Sequence, residues 1–431
     1  MQTFGIGLAG MGNVGAGVFK HLTHNRTLLR ERLGCELAVR KVAVRDVSRD
    51  RGIHVPPELL TTDAQSLLDD PEVHIVVELM GQKEESLRFM LGAIERKKIV
   101  VTGNKALLAE HGREIFHAAT EHKVPVFFEA AVGGGIPIIK AIREAFVGNH
   151  IQSVHGIVNG TSNYILTRMT EAGLGFDEAL AEAQKAGYAE ADPSLDVNGG
   201  DAAHKAVILA SLAYGFWIPM DKIFVEGIES LTANDICFAD RLGYRIKLLA
   251  TIKADPDGIE VRVHPALVPK AHVLASVNGV FNAMAVKGDI VGDTLFYGRG
   301  AGQDPTSSAV ISDIAEAADA LISPRRNLGF MPHGLYGTCK PIDQIVTEFY
   351  VRLSVEDRPG VIAQIAGILG ELNIGISSIL QPESEDEGST VPLVLMIHKA
   401  SHGQITSALT RIAALPPVKR PPRMLRVEHF Q

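Results

Sequence analysis

Two charged residues on one predicted helix mark the part of the chain best suited to acid–base chemistry. Asp201 and Lys205 are four residues apart, so a helix places their carboxylate and ammonium groups on the same face. The same helix is otherwise rich in apolar residues through Ala210, which predicts that it is buried. An isolated pair of this kind often only stabilises a helix, but buried charge is unfavourable unless it is paired or used. We therefore interpret the pair as part of a site.

The loop that precedes this helix carries further carboxylates. Glu190 and Asp196 lie between Gly187 and the glycine turn at residues 198–200, and Pro193 also favours an irregular backbone there. We call residues 187–200 the acidic loop. Because it leads directly into the helix, we expect its carboxylates to converge on the charged pair.

The first predicted strand and helix carry a dinucleotide-binding fingerprint. The strand at residues 4–9 runs into G-x-G-x-x-G and then a helix, which is the setting that this motif requires. The glycines permit a tight turn and close approach of the backbone, and the helix N-terminus offers free N–H groups to a pyrophosphate. The predicted cofactor contacts are Gly10, Gly12, Asn13, Val14 and Gly15.

The end of the next predicted strand, at residues 37–44, bears on the choice of cofactor. Arg45 can meet a 2′-phosphate, whereas the adjacent Asp46 can hydrogen-bond a ribose 2′-OH. Arg49 and Arg51 add positive charge nearby. We therefore expect NADP(H) to be preferred, and NAD(H) stays open as the alternative.

Two later strand ends supply further candidates. The strand at residues 99–102 ends before Lys105, and ligands of open α/β sheets bind beyond the carboxyl ends of the strands. This predicts Lys105 at the nicotinamide end of the cleft, with a lysine that merely opens a surface helix as the alternative. A glycine run follows Glu129, where a carboxylate and backbone carbonyl groups could bind a hard cation or form a simple turn between domains.

The pattern of strands and helices predicts three domains. Residues 1–135 alternate as in a Rossmann dinucleotide-binding domain of α/β class, and residues 300–325 are expected to return to it. Residues 136–340 predict an α+β domain for substrate binding, catalysis and dimerisation. Residues 345–431 follow the order β-α-β-β-α-β, with a second loop rich in acidic residues at 383–387.

Composition excludes several classes of protein. The chain has 431 residues, a formal net charge of -8 and no lysine or arginine cluster, so we expect neither a nucleic-acid nor a membrane partner. Cys35, Cys237 and Cys339 are too dispersed for a disulfide framework or a zinc site. The first strand starts by Phe4, which leaves no room for a signal peptide. We expect a cytoplasmic protein that forms a homodimer or homotetramer.

Taken together, these motifs resemble those of the homoserine dehydrogenase family. The matching segments are GLAGMGNVG, VTGNKALLA, FFEAAVGGGIP, GIVNGTSNYIL, GYAEADPSLDVNGGDAAHKAVILA and GRGAGQDPTSSAV, which occur in the family's order across essentially the whole chain. The longest of them is far more specific than the glycine fingerprint. The resemblance implies reduction of L-aspartate 4-semialdehyde to L-homoserine with NADPH or NADH, on the route to threonine, methionine and isoleucine.

The resemblance also implies roles for the charged residues. Lys205 is expected to deliver a proton to the substrate carbonyl oxygen as hydride arrives, and Lys105 could share that role. Asp201 would orient Lys205 and touch the substrate. Glu190, assisted by Asp196, would bind the polar groups of the substrate, foremost its amino end.

Further contacts follow from the same resemblance. Gly187 and Gly302 would line the cofactor. The family's sodium site corresponds to Glu129 together with the backbone carbonyl groups of Val132, Gly134 and Ile136.

The C-terminal segment DRPGVIAQIAGILGELNIGISSI resembles an ACT domain, a small amino-acid-sensing module. Such modules commonly bind a ligand at an interface between paired domains, near the first strand–helix turn. There the N–H groups around Gly360 could meet a carboxylate, and Asn373 is a second candidate contact. L-Threonine, as the end product of the route, is the expected effector. An appendage that only stabilises or dimerises the chain is the alternative.

Other functions compete with this interpretation. A semialdehyde dehydrogenase that oxidises its aldehyde needs an activated cysteine, and none of the three cysteines has a recognisable catalytic setting. A non-catalytic amino-acid sensor built on a retired dehydrogenase is opposed by the intact set of charged site residues. A metal site at His21 and His24 is disfavoured because no carboxylate-rich motif accompanies them.

Overall fold

The fold is that of a computed structural model, which describes residues 1–323, 329–382 and 390–430. The run of acidic residues predicted to form a loop at residues 383–387 of the C-terminal domain lies outside the described residues. The end of the segment predicted at 300–325 lies outside them as well. Within the described residues, no helix is both long and apolar enough to cross a bilayer.

The N-terminal part forms a parallel sheet between two apolar cores. Its elements are β1 (Thr3–Ala9), α1 (Asn13–His24), α2 (Arg26–Leu33), β2 (Glu36–Ala43), β3 (Leu60–Thr61), α3 (Gln65–Asp69), β4 (Ile75–Glu78), α4 (Lys83–Glu95), β5 (Ile99–Thr102), α5 (Lys105–His122) and β6 (Val126–Phe127). The strand order is β3-β2-β1-β4-β5-β6, with parallel neighbours throughout. Val76 and Val77 enter different cores because successive side chains point to opposite faces. The strand order changes direction between β1 and β4, so a crevice for a ligand opens beyond the carboxyl end of β1. The predicted Rossmann fold is confirmed.

The central part forms a largely antiparallel sheet with helices packed against it. Its elements are α6 (Ile138–Lys140), β7 (Ile151–Ile157), α7 (Gly160–Ala172), α8 (Phe176–Lys185), α9 (Ser194–Val197), α10 (Gly200–Tyr214), β8 (Phe224–Val225), α11 (Ala233–Arg241), β9 (Tyr244–Asp255), β10 (Gly258–Pro269), β11 (Phe281–Gly288), β12 (Gly292–Arg299) and α12 (Gln303–Ile322). β7 pairs with β9 and β11, β9 with β10, and β11 with β12. The sequence pattern does not predict β11 and β12. Both contain strand-favouring residues, such as Val286 in β11 and Phe296 in β12, but small and charged residues dilute the pattern. Pairing of β11 with β7 and of β12 with β11 supports the strand conformation.

Helix α12 returns from the central part to the N-terminal part. Gln303 Nε2 donates to Asn13 O at 3.0 Å, and Ser307 Oγ donates to Val14 O at 3.1 Å. Gly17 permits this close crossing of α12 and α1, because a Cβ atom there would lie 2.3 Å from Ser307 Oγ. The two helices therefore hold the glycine loop of the nucleotide fingerprint against the central part.

The C-terminal part has the predicted β-α-β-β-α-β order of an ACT domain. Its elements are β13 (Val346–Glu356), α13 (Val361–Glu371), β14 (Ile376–Leu380), β15 (Thr390–Ser401), α14 (His402–Ala413) and β16 (Val418–Val427). The strands are antiparallel in the order β16-β13-β15-β14. Ile365 of α13 and Ile405 of α14 are buried in one core with Leu353 and Leu393 of the sheet. This confirms the predicted fold of the region.

The central and C-terminal sheets are continuous, which the sequence pattern does not predict. β16 lies beside β10 in a parallel pair, with Ala266 opposite Arg426 and Leu267 opposite Val427. Just beyond β16, the buried carboxylate of Glu428 accepts from Arg262 at 2.6 Å and from Lys253 at 2.8 Å. Parallel pairing of strands so far apart in the chain leaves no local signal in the sequence.

Candidate active site

A cleft of about 880 Å³ lies between the nucleotide fold and the central helices. It brings together the charged residues that the sequence predicts, namely Lys105, Glu190, Asp196, Asp201 and Lys205. The predicted cofactor contacts Asn13, Val14, Gly187 and Gly302 line the same cleft, and so does Gly134. The acidic loop and the start of α10 therefore face the cofactor loop across one cavity.

Asp201 lies between the two lysines of the cleft. Its Oδ2 accepts from Lys205 Nζ at 2.7 Å, and its Oδ1 lies 3.2 Å from Lys105 Nζ. Lys205 Nζ also donates to the carbonyl oxygen of Val158 at 2.7 Å. Burial alone would raise the pKa of Asp201, but the two ammonium groups and its hydrogen bonds hold that pKa well below its usual range. The carboxylate is therefore ionised at neutral pH and fixes both ammonium groups.

Asn159 is a residue of the site that the sequence analysis missed. Its Nδ2 donates to Asp201 Oδ2 at 2.9 Å and to Asp196 Oδ1 at 2.7 Å. Its Oδ1 accepts from the N–H of Ser162 at 2.8 Å, so Asn159 is also the N-cap of α7. Asparagine just before a predicted helix is the signal that could have revealed it.

The acidic loop is more ordered than its composition predicts, because it contains the short helix α9. Ser162 Oγ donates to the carbonyl oxygen of Asp196 at 2.7 Å. The N–H of Ile228 donates to the carbonyl oxygen of the next residue, Val197, at 2.8 Å. Glu190 is exposed at the edge of the cleft. Asp196 is thus held in place from two sides, whereas the side chain of Glu190 faces solvent.

His204 is a second residue that the sequence analysis missed. It lies on α10 between the charged pair, is half-buried and lines the cleft. Burial lowers its pKa against the opposing effect of Asp201. The imidazole is therefore neutral at neutral pH and adds no positive charge beside the lysines.

The glycine fingerprint has the geometry that a dinucleotide needs. Gly10 adopts a φ of +100°, and a Cβ atom there would lie 2.5 Å from Leu79 O. A Cβ atom on Gly15 would lie 2.3 Å from Gly10 O, whereas one on Gly12 would meet nothing within 4 Å. No side chain in the described residues caps the N-terminus of α1, so its N–H groups are available to a phosphate. The residues present fit the cofactor.

A second cavity, of about 510 Å³, lies on the other side of this loop and carries an excess of positive charge. Arg45, Arg49 and Arg51 line it together with the carboxylates of Asp46 and Glu85. Hydrogen bonds from Ser48 lower the pKa of Asp46 and engage its carboxylate. Within the described residues, Arg45 makes neither a hydrogen bond nor an ion pair. Its guanidinium group is therefore available to a ligand in this cavity.

The turn that follows Glu129 is buried, and the carboxylate of Glu129 is already hydrogen-bonded. Its two oxygen atoms accept from the N–H groups of Ile139 at 2.9 Å and Lys140 at 2.8 Å. The carboxylate thus stabilises the N-terminus of α6. The main-chain carbonyl groups of this turn are further candidate ligands for a cation, because they retain a second lone pair even when they accept one hydrogen bond.

The two regulatory candidates lie at opposite ends of α13. Gly360, with a φ of +88°, is the N-cap, and Asn373, with a φ of +55°, follows the C-terminus. A helix of 11 residues rises by about 16 Å, so the two residues cannot contact one small ligand within a single chain. A shared ligand requires two copies of the domain.

The cysteines lack the setting of a catalytic nucleophile. Cys35 is buried, Cys237 is exposed and Cys339 is half-buried, and none of them lines either cavity of the described chain. Burial raises the pKa of Cys35, and it raises that of Cys339 to about 11. Raised thiol pKa values oppose the thiolate that a semialdehyde-oxidising enzyme needs.

Comparison with known protein families agrees with this geometry. The family described as homoserine dehydrogenase matches residues 137–315, and the family described as its NAD-binding domain matches residues 10–129. The ACT domain family matches residues 349–417.

Individual relatives cover the whole chain. The homoserine dehydrogenase of Pseudomonas aeruginosa is 44% identical over 435 aligned residues and covers 100% of both chains. The crystal structure of a homoserine dehydrogenase from Thiobacillus denitrificans has a TM-score of 0.93 and 42% identity, with 99% of each chain covered. A hyperthermophilic archaeal homoserine dehydrogenase in complex with NADPH has a TM-score of 0.64 and 26% identity, covering 75% of this chain and 99% of that one. The chain therefore belongs to the homoserine dehydrogenase family of oxidoreductases, with NAD-binding, catalytic and ACT domains.

Proposed function

We propose that the cleft reduces L-aspartate 4-semialdehyde to L-homoserine, a step in the synthesis of threonine, methionine and isoleucine. The observation that carries this proposal is the ammonium group of Lys205, fixed by Asp201 beside Lys105 in a cleft shared with the cofactor loop. A bound nicotinamide supplies the hydride. The chain itself supplies the proton and holds the substrate.

Lys205 is the proposed proton donor. Two of its three N–H bonds point to Asp201 and to the carbonyl oxygen of Val158, each at 2.7 Å, which leaves the third for the substrate carbonyl oxygen. A lysine ammonium group is protonated at neutral pH and can act as a general acid. Lys105 contacts the other oxygen of Asp201 and can share the proton transfer.

The acidic loop is proposed to bind the amino end of the substrate. Glu190 and Asp196 line the same cleft as Lys205, and their negative charges suit an ammonium group. Asp196 is held in place by Asn159, so it needs little rearrangement when the substrate binds.

The cofactor is proposed to lie across the glycine loop, with NADPH preferred over NADH. Gly10, Gly12 and the uncapped start of α1 support the pyrophosphate site. Arg45 supports contact with a 2′-phosphate, because its guanidinium group lines the adjoining cavity and Asp46 is engaged by Ser48. Gly187 and Gly302 would line the nicotinamide half.

The ACT domain is proposed to bind L-threonine between two copies of the chain. The uncapped N-terminus of α13 at Gly360 would receive the carboxylate from one copy, and Asn373 of the other copy would add a polar contact. We propose that the assembly is a homodimer or homotetramer, because a ligand shared between Gly360 and Asn373 needs two copies of the domain. We assign residues 1–135 to the nucleotide domain, 136–340 to the catalytic domain and 345–431 to the regulatory domain.

A sodium ion is proposed in the turn between the nucleotide and catalytic parts. The buried turn offers main-chain carbonyl groups, the oxygen donors that hard cations prefer. The proposed ligands are the main-chain carbonyl oxygens of Glu129, Val132, Gly134 and Ile136.

Replacement of Lys205 by alanine should lower turnover by about 10²–10⁴-fold, because the general acid is removed. NADPH binding, measured by fluorescence titration, should stay near the wild-type value because the glycine loop is untouched. Lys97→Ala, at an exposed turn outside the cleft, is the matched control. Near-normal turnover of Lys205→Ala would reject the assignment and turn attention to Lys105.

Asn159→Asp should lower kcat/KM for homoserine oxidation by at least about tenfold. The aspartate can still cap α7, but it cannot donate to Asp196 or Asp201 and adds a like charge beside them. Asn159→Ala removes the cap as well, so it should also lower the melting temperature. A wild-type kcat/KM in Asn159→Asp would show that the asparagine serves only as the helix cap.

Initial rates with NADPH and NADH, each with and without millimolar L-threonine, test the cofactor and effector proposals together. We expect a higher kcat/KM with NADPH and inhibition by threonine with either cofactor. Asn373→Gly suits the left-handed backbone at that position and should weaken the inhibition without changing the uninhibited rate. A preference for NADH, or rates that are insensitive to threonine, would contradict the respective proposal.

Thallium(I), an anomalous scatterer that replaces monovalent cations, tests the sodium site. Crystals soaked in a thallium salt should show an anomalous peak at the turn that follows Glu129. Glu129→Gln should keep this peak, because the proposed ligands are main-chain oxygens. A soaked crystal with no peak at this turn would remove the ion from the proposal.

A further inference from the structure

A third cavity lies where the ACT domain meets the catalytic part, away from both cavities of the active site. Its volume is about 350 Å³, and it opens between β8, α14 and β16. Charged and apolar side chains share its lining, chiefly Glu226, Arg423 and Arg426 with Phe224, Leu409 and Met424.

Arg426 is a buried cation in this lining, with only 1% of its surface exposed. Its guanidinium group donates to Glu226 Oε2 at 3.3 Å and to His402 Nδ1 at 3.0 Å, and it lies over the ring of Phe224. Its Nε atom has no acceptor among the described residues. Burial lowers the pKa of Arg426 to about 10, the behaviour of a charge with too little opposing charge around it.

Arg423 adds a second incompletely paired guanidinium group. Its NH2 atom lies 3.1 Å from Glu226 Oε1, but not in hydrogen-bonding alignment, and its Nε atom has no acceptor in the described chain. Burial and Arg426 lower the pKa of the neighbouring His402, which is therefore neutral. One carboxylate thus opposes two guanidinium groups. The lining carries a net positive charge and buried donors, a combination that is unfavourable without an acceptor.

We propose that this cavity binds a small aliphatic carboxylate. Carboxylate oxygens match the paired N–H geometry of guanidinium groups and would supply the missing acceptors and charge. A short branched hydrocarbon would pack against Leu409 and Met424 on the apolar side of the cavity. The site is separate from the proposed threonine contacts at Gly360 and Asn373, which lie at the two ends of α13.

Isothermal titration calorimetry of the full-length protein with isovalerate tests this site. The wild type should bind isovalerate saturably, and Arg423→Gln should weaken binding by about tenfold or more, since a charge-assisted hydrogen bond is lost. Arg420→Gln is the matched control, because Arg420 lies on the same strand, is exposed and does not line the cavity. The measurement reads binding directly, so its outcome does not depend on the proposed catalytic roles.

Three results would overturn the proposal. They are the absence of saturable binding to the wild type, equal weakening in Arg420→Gln, and binding of inorganic phosphate as tight as that of isovalerate. Melting temperatures and uninhibited turnover report on folding of the variants. If Arg423→Gln does not fold, Leu409→Glu serves instead, because it places a carboxylate of its own in the cavity. Retained isovalerate binding in Leu409→Glu would equally reject the site.

Discussion

The site depends on one buried carboxylate held between two ammonium groups. Asp201 is only 8% exposed, yet it remains ionised because Lys205 and Lys105 approach its two oxygen atoms from different elements. An isolated buried carboxylate would be strongly destabilising, and removing Asp201 would leave two neighbouring ammonium groups without this counter-charge. The requirement that these three charges stay together constrains α10, α5 and the strand end at Val158 at once.

The surrounding fold satisfies that requirement from several directions. Lys105 follows β5 of the nucleotide sheet, whereas Val158 and Asn159 follow β7 of the second sheet. Helix α12 fixes the distance between the two parts by bonding to the cofactor loop at Asn13. The proposed proton donor Lys205, on α10 of the central part, and the cofactor loop of the nucleotide sheet therefore face one cleft.

The ACT domain is connected to the active site through the sheet and loops of the catalytic part. Pairing of β16 with β10 makes its sheet continuous with the catalytic sheet, and Glu226 carries ion pairs to Arg423 and Arg426. The N–H of Ile228, two residues beyond Glu226, donates to Val197 O in the acidic loop. A Cβ atom on Gly227 would lie 2.2 Å from that same oxygen, so this contact is close. The segment that contacts the ACT domain therefore also contacts the acidic loop directly.

The sequence by itself determined the features that rest on local spacing. The pair of Asp201 and Lys205 follows from helical periodicity, the glycine fingerprint from its strand–turn–helix setting, and Lys105 from its place after a buried strand. These features need only neighbours along the chain.

Only the tertiary structure decided which distant groups complete the site. Asn159 bridges Asp196 and Asp201 because β7 ends opposite α10, and Glu129 uses its carboxylate to cap a helix. The pairing of β10 with β16 likewise joins strands that share no local pattern. Hydrogen bonds between segments distant in sequence depend on how the sheets and helices pack, and residue type and spacing along the chain do not encode that packing in a locally readable form.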